Sequence, residues 1–355
     1  MTDLSNVHRG TRILLIAASL VIIIWGINQA QSVLVVLLVS VFLAIIGRAP
    51  VLWMERKHIP SALAVLVVVA TMVTILLSVG AVVGASLNSF SNALPFYQTR
   101  FHEMLIAARA TLAEKGFVVT DEVLVGYVNP AAIMNLTAGL FTSLSSVLSN
   151  IVLILFTTTF ILFEASGFPA KLRMAHDAPH SSFPQFKKFI NDMNRYVVIK
   201  TLLNLIAGIA TAVWLSILGV DFPVLWGFLT FLLHYIPSVG SIVAAVPAVL
   251  LALVQSGGGS AVLTASGYLV IGTVLGNVVE PRIMGRKFDM STLIVFLSLI
   301  FWGNLLGLIG AILCVPLTMT LKLACETNED TRWIAVLLGR EMSPEGSPVA
   351  SKKRK

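Results

Sequence analysis

Residues 225–253 read LWGFLTFLLHYIPSVGSIVAAVPAVLLAL, an apolar run that is interrupted near its centre by HYIPSVGS. The run lies in a window without Asp, Glu, Lys or Arg that extends from Asp221 to Glu280. A helix that crosses a bilayer needs roughly 20 mostly apolar residues, and each half of the run is shorter than that. Because Pro237 and Gly240 disfavour a continuous helix, the run predicts two short helices joined by a break.

Composition supports a membrane location for this run. The chain of 355 residues is 57% hydrophobic and 12% charged, whereas soluble domains carry about 25% charged residues. Other uncharged windows lie between Lys57 and Arg100, between Glu122 and Glu164, and between Asp289 and Lys322. The sequence therefore predicts an all-α, polytopic integral membrane protein and excludes a soluble domain.

We predict about seven to eight transmembrane segments, two of which are broken or re-entrant helical hairpins. The second hairpin is interrupted by WGNLLGLIG, residues 302–310, where Gly303, Gly307 and Gly310 loosen the helix. The predicted segments are 12–30, 32–47, 60–84, 143–164, 196–219, 222–236 with 238–254, 261–279, and 291–304 with 306–321.

The distribution of basic residues predicts the orientation. Most of the 24 Lys and Arg residues fall on one side if the N- and C-termini are both cytoplasmic, as expected for cytoplasmic loops. This agreement requires each broken run to return to the side from which it enters. The first hairpin then opens outward and the second opens toward the cytoplasm, an arrangement that marks the substrate region in many secondary transporters.

The chain divides into five predicted regions. Residues 85–142 carry Phe90, Leu94 and Phe101 at helical spacing, which predicts an amphipathic extracytoplasmic helix with its apolar face on lipid or on the bundle. The regions are 1–84, N-terminal transmembrane helices; 85–142, the extracytoplasmic segment; 143–195, a transmembrane helix and a cytoplasmic amphipathic segment; 196–325, the transmembrane core with both hairpins; and 326–355, a cytoplasmic tail.

No enzyme motif is found in the sequence, which has no P-loop, no HExxH and no GxSxG. We therefore expect no catalytic residue, no metal ligand and no cofactor. The net charge of +7 and the tail SKKRK, residues 351–355, fit retention of basic residues on the cytoplasmic side and attraction to anionic lipid. The expected partners are the lipid bilayer and a small-molecule solute, with no nucleic acid.

Three GxxxG pairs predict close helix packing: Gly80 with Gly84, Gly272 with Gly276, and Gly303 with Gly307. The last pair is also suited to unwinding a re-entrant loop.

Polar side chains within or beside the apolar runs are the candidate site residues, because burying them without a partner is costly. Those near the breaks either hydrogen-bond carbonyl groups freed by the break or bind a solute. The candidates for the substrate path are His234, Tyr235, Ser238, Asn277 and Asn304.

The stretch GNVVEPRIMGRKFDMS, residues 276–291, supplies the candidates for gating or coupling. Pro281 disfavours the α conformation at Glu280, so we expect the helix to end there, with Arg282 able to pair with the Glu280 carboxylate. Two interpretations stay open, an ion-paired corner or a gate at the cytoplasmic mouth of the path. Lys200, which either reaches the cytoplasmic surface or faces the path, and Asn204, one turn deeper, complete this set.

The combination of EPRIMG (280–285), FWG (301–303) and GAILCVPL (310–317) resembles the autoinducer-2 exporter family of bacterial inner-membrane proteins. The resemblance covers nearly the whole chain and implies export of autoinducer-2, a small polyhydroxylated furanone used in quorum sensing. It also implies a homo-oligomer, with a pentamer as the suggested size. Members of the family have also been credited with sodium or lithium/proton antiport.

Of these two functions, solute export is the leading expectation. A hydroxyl-rich solute needs neutral donors and acceptors, which the candidate path residues supply. An antiporter needs a carboxylate within the membrane, and no acidic residue lies between Asp221 and Glu280 or between Asp289 and Lys322.

Overall fold

The computed structural model describes residues 9–114, 139, 149–175, 183–237, 239–284, 290–327 and 331–339. This part of the chain is helical, apart from turns and one isolated β-bridge between Met290 and Gly339. The helices are α1 Arg9–Gln29, α2 Gln31–Arg56, α3 Ser61–Glu114, α4 Ile151–Ala175, α5 Phe183–Ile217, α6 Pro223–Leu233, α7 Gly240–Ser256, α8 Gly258–Gly272 with a π-helical continuation Thr273–Val279, α9 Glu280–Met284, α10 Thr292–Ile312, α11 Cys314–Thr327 and α12 Arg332–Leu338.

The outer faces of the helices are apolar. Large side chains such as Ile22, Leu77, Val152 and Ile217 are between 66% and 78% exposed. A soluble protein rarely exposes so large an apolar surface to water. By length and composition, five helices among the described residues could cross a membrane. Further apolar helices of 10–17 residues, α6 and α7 among them, are shorter. The all-helical membrane class is thus confirmed, while the number of seven to eight crossings stays a prediction.

Helix α3 runs without interruption through 54 residues, so the predicted division between 84 and 85 falls inside one helix. Its distal half is amphipathic, with Phe90, Tyr97 and Phe101 buried against α6 and α7. The Tyr97 hydroxyl donates a hydrogen bond of 2.5 Å to the Asp221 carboxylate. The apolar face of residues 90–101 therefore packs on the bundle.

The first hairpin consists of α6 and α7, joined by a non-helical turn after Leu233. The chain turns so tightly that a Cβ atom on Gly240 would overlap the carbonyl oxygen of Leu233. A glycine is therefore required at the start of α7, where the two backbones touch.

The second hairpin is interrupted inside α10, where Gly307 has φ 64° and ψ −147°. A left-handed φ of this kind favours glycine, because a Cβ atom would clash with the backbone. Beyond the break, Gly310 lies against the carbonyl oxygen of Trp302. The Trp302 indole N–H donates to Thr318 Oγ1 at 3.0 Å, which holds the part of α10 before the break against α11.

The tips of the two hairpins contact each other. Tyr235, in the first turn, forms one buried cluster with Ile312 and Leu313 of the second hairpin. Leu308 packs against the same cluster. The two breaks in the helical bundle therefore lie side by side, with apolar contacts between them.

The expectation that a helix ends at Glu280 is wrong. Glu280 is helical, with φ −57° and ψ −51°, and the chain continues as α9 to Met284. The preceding seven residues, Thr273–Val279, form a π-helix. The wider i→i+5 pattern accommodates the missing N–H and the ring of Pro281, which an ideal α-helix would not.

Among the residues that the structure describes, three glycines of the predicted GxxxG pairs make no close contact. A Cβ atom built on Gly80, Gly84 or Gly276 would meet no heavy atom within 4 Å. The close approach occurs instead between α5 and α6, where a Cβ on Gly208 would lie 2.7 Å from the Gly227 carbonyl oxygen. Sequence spacing finds glycines on one helix face, but it does not say which face meets another helix.

Candidate functional site

The buried face of α5 carries polar side chains. Lys200 is 4% exposed and Asn204 is fully buried, although both lie in a helix that is apolar enough to cross a membrane. Residues four apart lie on the same face of a helix, so Lys200 and Asn204 point toward the same neighbours. Of the two alternatives for Lys200, this burial favours a position inside the bundle over one in which the ammonium group reaches the surface.

Lys200 forms an ion pair with Glu280 across the bundle. The ammonium group lies 2.8 Å from Oε1 and 2.7 Å from Oε2 of the carboxylate. The two side chains are 5% and 22% exposed, respectively. Taking both charges out of water is costly, so both oxygens of the carboxylate are used to offset the burial of one cation.

Arg282 does not take the place that the sequence suggested. It is exposed, on the opposite side of the short helix α9 from the buried Met284. Among the described residues, the ion pair of Glu280 is made with Lys200 and none joins Glu280 to Arg282. The helix continues through Pro281, so Arg282 is carried round the axis to a different face.

A hydrogen-bonded chain connects the ion pair with the first hairpin. With its amide oriented to satisfy both neighbours, Asn204 donates to the Lys200 carbonyl oxygen at 3.2 Å and accepts from the Tyr235 N–H at 3.1 Å. The Tyr235 hydroxyl donates to Thr201 Oγ1 at 2.7 Å. The Tyr235 N–H also makes a long turn hydrogen bond of 3.3 Å to the Leu232 carbonyl oxygen. Asn204 thus adds a second acceptor beside the interrupted helix.

The other predicted path residues are placed less centrally. His234 is buried, 8% exposed, beside Tyr235 in the turn. Asn277 and Asn304 are both exposed on the surface of the chain, and neither belongs to the hydrogen-bonded chain described above. Ser238 lies outside the described residues.

The proline and glycine residues at the two hairpin breaks differ in conformation and contacts. Pro237 lies in the turn of the first hairpin and Gly240 begins α7. In the second hairpin, Gly307 is the non-helical position and Gly310 makes the close approach. Gly303 is helical, and a Cβ there would meet only Ala311 at 3.7 Å.

The ion pair is also tied to the second hairpin through apolar contacts. Tyr196, one turn before Lys200, belongs to a buried cluster with Met284 of α9 and with Cys314 and Val315 of α11. Both helices that carry the charges therefore pack against α11. The pair lies where both hairpins, α5 and α9 meet.

Sequence reasoning missed two features of the site. It did not identify the partner of Glu280, because Lys200 lies 80 residues earlier in the chain. It also missed Thr201, whose hydroxyl receives the Tyr235 hydrogen bond. The signal available in the sequence was the position of Thr201, a polar residue directly after Lys200 in a membrane helix. In the described part of the chain, no group of three or more His, Cys, Asp or Glu side chains could hold a metal ion.

Two interrupted hairpins that meet beside a buried ion pair, within a bundle of lipid-facing helices, place the chain in the class of membrane transporters. The chain belongs to the AI-2E transporter family, whose family model matches residues 13–329. It is 38% identical to the AI-2 transport protein TqsA of Escherichia coli K12, with 93% of this chain and 96% of that protein covered. Two further relatives are named as putative transport proteins. YhhT of E. coli K12 is 34% identical, covering 93% of this chain and 95% of YhhT, and a protein of Haemophilus influenzae is 32% identical, covering 94% and 97%.

Proposed function

We propose that the chain is a secondary transporter of the bacterial inner membrane that exports a small polar solute, with autoinducer-2 as the substrate. The observation that carries the proposal is the buried Lys200–Glu280 ion pair at the junction of the two interrupted hairpins. Ionisable residues within membrane helices are rare and commonly mark a transport path. The similarity to a protein named as an AI-2 transporter supports the choice of solute.

In this proposal the ion pair is the gate at the cytoplasmic end of the path. With the pair closed, α9 is held against α5, and Asn204 holds the first hairpin to the same helix. Opening requires the carboxylate to separate from Lys200, which leaves two charges to be solvated by the entering water. A closed state and an open state separated by one such contact form the two-state element that alternating access needs.

Arg282, exposed beyond the gate, belongs in this proposal to the cytoplasmic surface around the mouth. His234 and Tyr235 line the path at the first break, and Asn277 and Asn304 contribute from exposed faces. We further propose cytoplasmic N- and C-termini, hairpins that re-enter rather than span, and a homo-oligomer with a pentamer as the suggested size. The proposal keeps the five regions that the sequence predicts.

The sodium or lithium/proton antiporter receives no support from these observations. The carboxylate available for proton exchange, Glu280, is engaged on both oxygens by a lysine. The names of the relatives likewise refer to AI-2 or to transport without a cation. Both functions can nevertheless be measured in one preparation.

The test uses proteoliposomes that contain the purified protein and autoinducer-2, with efflux followed with and without a pH gradient. We expect saturable efflux from wild-type vesicles and a loss of about tenfold or more in Glu280→Gln, which corresponds to about 1.4 kcal/mol. The matched control is Glu326→Gln, which removes one partner of the Lys322–Glu326 contact of 3.9 Å, where the Glu326 side chain is 48% exposed. This control should keep wild-type efflux, because exposed ion pairs contribute little.

A pH-sensitive dye in the same vesicles reports lithium/proton exchange. Lithium/proton exchange without solute efflux would overturn the exporter and establish the antiporter. If efflux is unchanged in Glu280→Gln, the protein transports the solute, but the ion pair only fixes the orientation of the helices and is not a gate.

A further inference from the structure

Helical threonines in this protein usually satisfy their own hydroxyl groups. Thr158, Thr201 and Thr318 each donate to the carbonyl oxygen four residues earlier, at 2.7 to 2.8 Å. Thr211 of α5 and Thr264 of α8 depart from this pattern. Both are fully buried, and in the described part of the chain neither Oγ1 atom has a hydrogen-bond partner.

An unsatisfied hydroxyl in the membrane interior is unfavourable, and the usual solution is the bond to the carbonyl four residues earlier. That both hydroxyls are unbonded at buried positions indicates that they face something other than their own helix. A ligand with hydroxyl groups could supply the missing donors and acceptors.

The two threonines lie where α5 meets α8. The Trp214 indole N–H, three residues after Thr211, donates to the carbonyl oxygen of Leu263 at 3.1 Å, and Leu263 precedes Thr264. The Trp214 ring packs directly on Gly267. These contacts bring the part of α5 around Thr211 to the same level as the part of α8 around Thr264.

Two further hydroxyls come from the neighbouring positions. Tyr268, one turn after Thr264 on α8, is 4% exposed, and its hydroxyl lies 3.5 Å from Thr230 Oγ1 of α6. Helix α6 reaches this level because Gly227, one turn before Thr230, packs against Ala212 of α5. Thus α5, α6 and α8 each contribute at least one buried hydroxyl around their junction.

This junction lies on the same helix face as the ion pair. Thr211 is eleven residues, about three turns or roughly 16 Å, along α5 from Lys200. Asn204 lies between them on that face. On the other side, α8 continues through its π-helical segment to Glu280. The buried hydroxyl groups of this junction and the Lys200–Glu280 ion pair therefore lie at two levels along the contact between α5 and α8 with its continuation.

We propose that Thr211, Thr230, Thr264 and Tyr268 form a binding site for a small neutral solute with two or more hydroxyl groups. Thr211, Thr264 and Tyr268 can each donate and accept a hydrogen bond, whereas the Thr230 hydroxyl donates to the Trp226 carbonyl oxygen at 2.8 Å and is left as an acceptor. None of the four carries a formal charge. Because Thr211 Oγ1 and Thr264 Oγ1 have almost no accessible surface in this conformation, the solute reaches them when α5 and α8 separate. This chemistry matches a polyhydroxylated solute better than a cation, which would need carboxylate or several carbonyl ligands. The inference rests on the proposed transport function and names the place where the solute is held before the gate.

The test removes hydroxyl groups and keeps side-chain volume, in Thr211→Val, Thr264→Val and the double variant. Because both hydroxyls are unpaired, these variants should unfold at the wild-type temperature or above it. Binding is read as the rise in unfolding temperature that dihydroxypentanedione, the open-chain precursor of the signal, produces in detergent. We expect this rise in wild type and its loss in the double variant, together with an increase of about tenfold or more in the KM of efflux, consistent with the loss of two hydrogen bonds.

Two controls separate a binding role from a general effect. Thr158→Val removes a buried hydroxyl that bonds to the Ile154 carbonyl between α2 and α4, remote from the junction, and should leave ligand binding intact. Thr211→Ser and Thr264→Ser keep the hydroxyl and should retain the shift, even if a valine variant is poorly folded.

The outcomes distinguish this site from the proposed function. If wild type transports the solute and the double valine variant matches it in KM and in thermal shift, the site is overturned and the function stands. If wild type shows no efflux, the function fails, but a thermal shift that the valine variants lose still supports the site. A shift produced by lithium chloride and not by dihydroxypentanedione would overturn the assignment to a neutral solute.

Discussion

Lys200 is a buried charge and Glu280 a half-buried one, and each is the other's ion-pair partner. Lys200 is 4% exposed, and its ammonium group contacts both carboxylate oxygens within 2.8 Å. A hydrophobic pair of the same volume would often be as stable as such an ion pair or more so. The presence of charges at this junction is therefore better explained by a contact that opens than by stability.

The first prediction at the residue scale concerns the cost of breaking this pair. Lys200→Met or Glu280→Gln alone should lower the free energy of unfolding by about 3 to 5 kcal/mol, the usual cost of leaving one buried charge without its partner. The double variant should recover most of that loss. The measurement is the shift of the unfolding transition in detergent, with Glu326→Gln as the control for an exposed pair. Additive losses in the double variant would show that the two side chains do not interact.

Asn204 is the residue through which the ion pair and the first hairpin are connected. Its amide bridges the Lys200 carbonyl and the Tyr235 N–H, so its position depends on both α5 and the turn. The sequence located Asn204 on the right face, one turn from Lys200, because the helical period alone determines that relation. Which backbone groups it would meet was not available from the sequence.

At the scale of elements, the packing of α5 on α6 depends on a pair of glycines. Cβ atoms at Gly208 and Gly227 would lie 2.7 and 2.6 Å from the carbonyl oxygen of the other glycine. Neither backbone can retreat without separating the two helices, since the opposing atom is not a flexible side chain. This contact holds the first hairpin against the helix that carries Lys200.

We predict that Gly208→Ala destabilises the protein by about 1 to 3 kcal/mol, the usual cost of overpacking. Gly84→Ala is the matched control, because a Cβ there meets no atom within 4 Å and alanine favours the helix by about 0.5 to 1 kcal/mol. Thermal unfolding of both variants in the same detergent provides the comparison. If both glycine variants behave alike, the α5–α6 contact is not what limits stability.

The π-helical segment is an element that the sequence reading did not foresee. Pro281 is a strong signal for a helix end, and the sequence predicts one at Glu280. The chain instead widens its helix for seven residues before the proline and continues to Met284. The carboxylate of Glu280 consequently points toward α5 rather than toward Arg282.

At the scale of the whole molecule, the two hairpin tips pack against each other beside the ion pair. Tyr235 of the first tip packs with Ile312 and Leu313 of the second. Neither break is a free loop in this arrangement, because each is covered by the other. The re-entrant hairpins that we propose agree with this arrangement, since irregular backbone at membrane depth needs protein or enclosed water around it.

Labelling of single cysteines tests this topology. In a background with Cys314 and Cys325 replaced, Lys57→Cys should react with a membrane-impermeant maleimide only from the cytoplasmic side, and Ser256→Cys only from the outside. Val239→Cys, in the first tip, should react poorly from either side, because that tip packs against the second hairpin. Rapid labelling of Val239→Cys from the cytoplasm would show that the first hairpin spans the membrane completely.

The sequence by itself determined the membrane class, the helical architecture and the family, because long uncharged windows and a few specific motifs do not depend on the fold. It also located the interrupted runs, since proline and glycine act on their own backbone. Tertiary structure decided which charges pair, which glycines touch another helix and which hydroxyls lose their usual partners. Lys200 and Glu280 are 80 residues apart, and no local pattern records that α5 and α9 lie side by side. Local signals act within one element, whereas a site in a helical bundle forms only where separate elements meet.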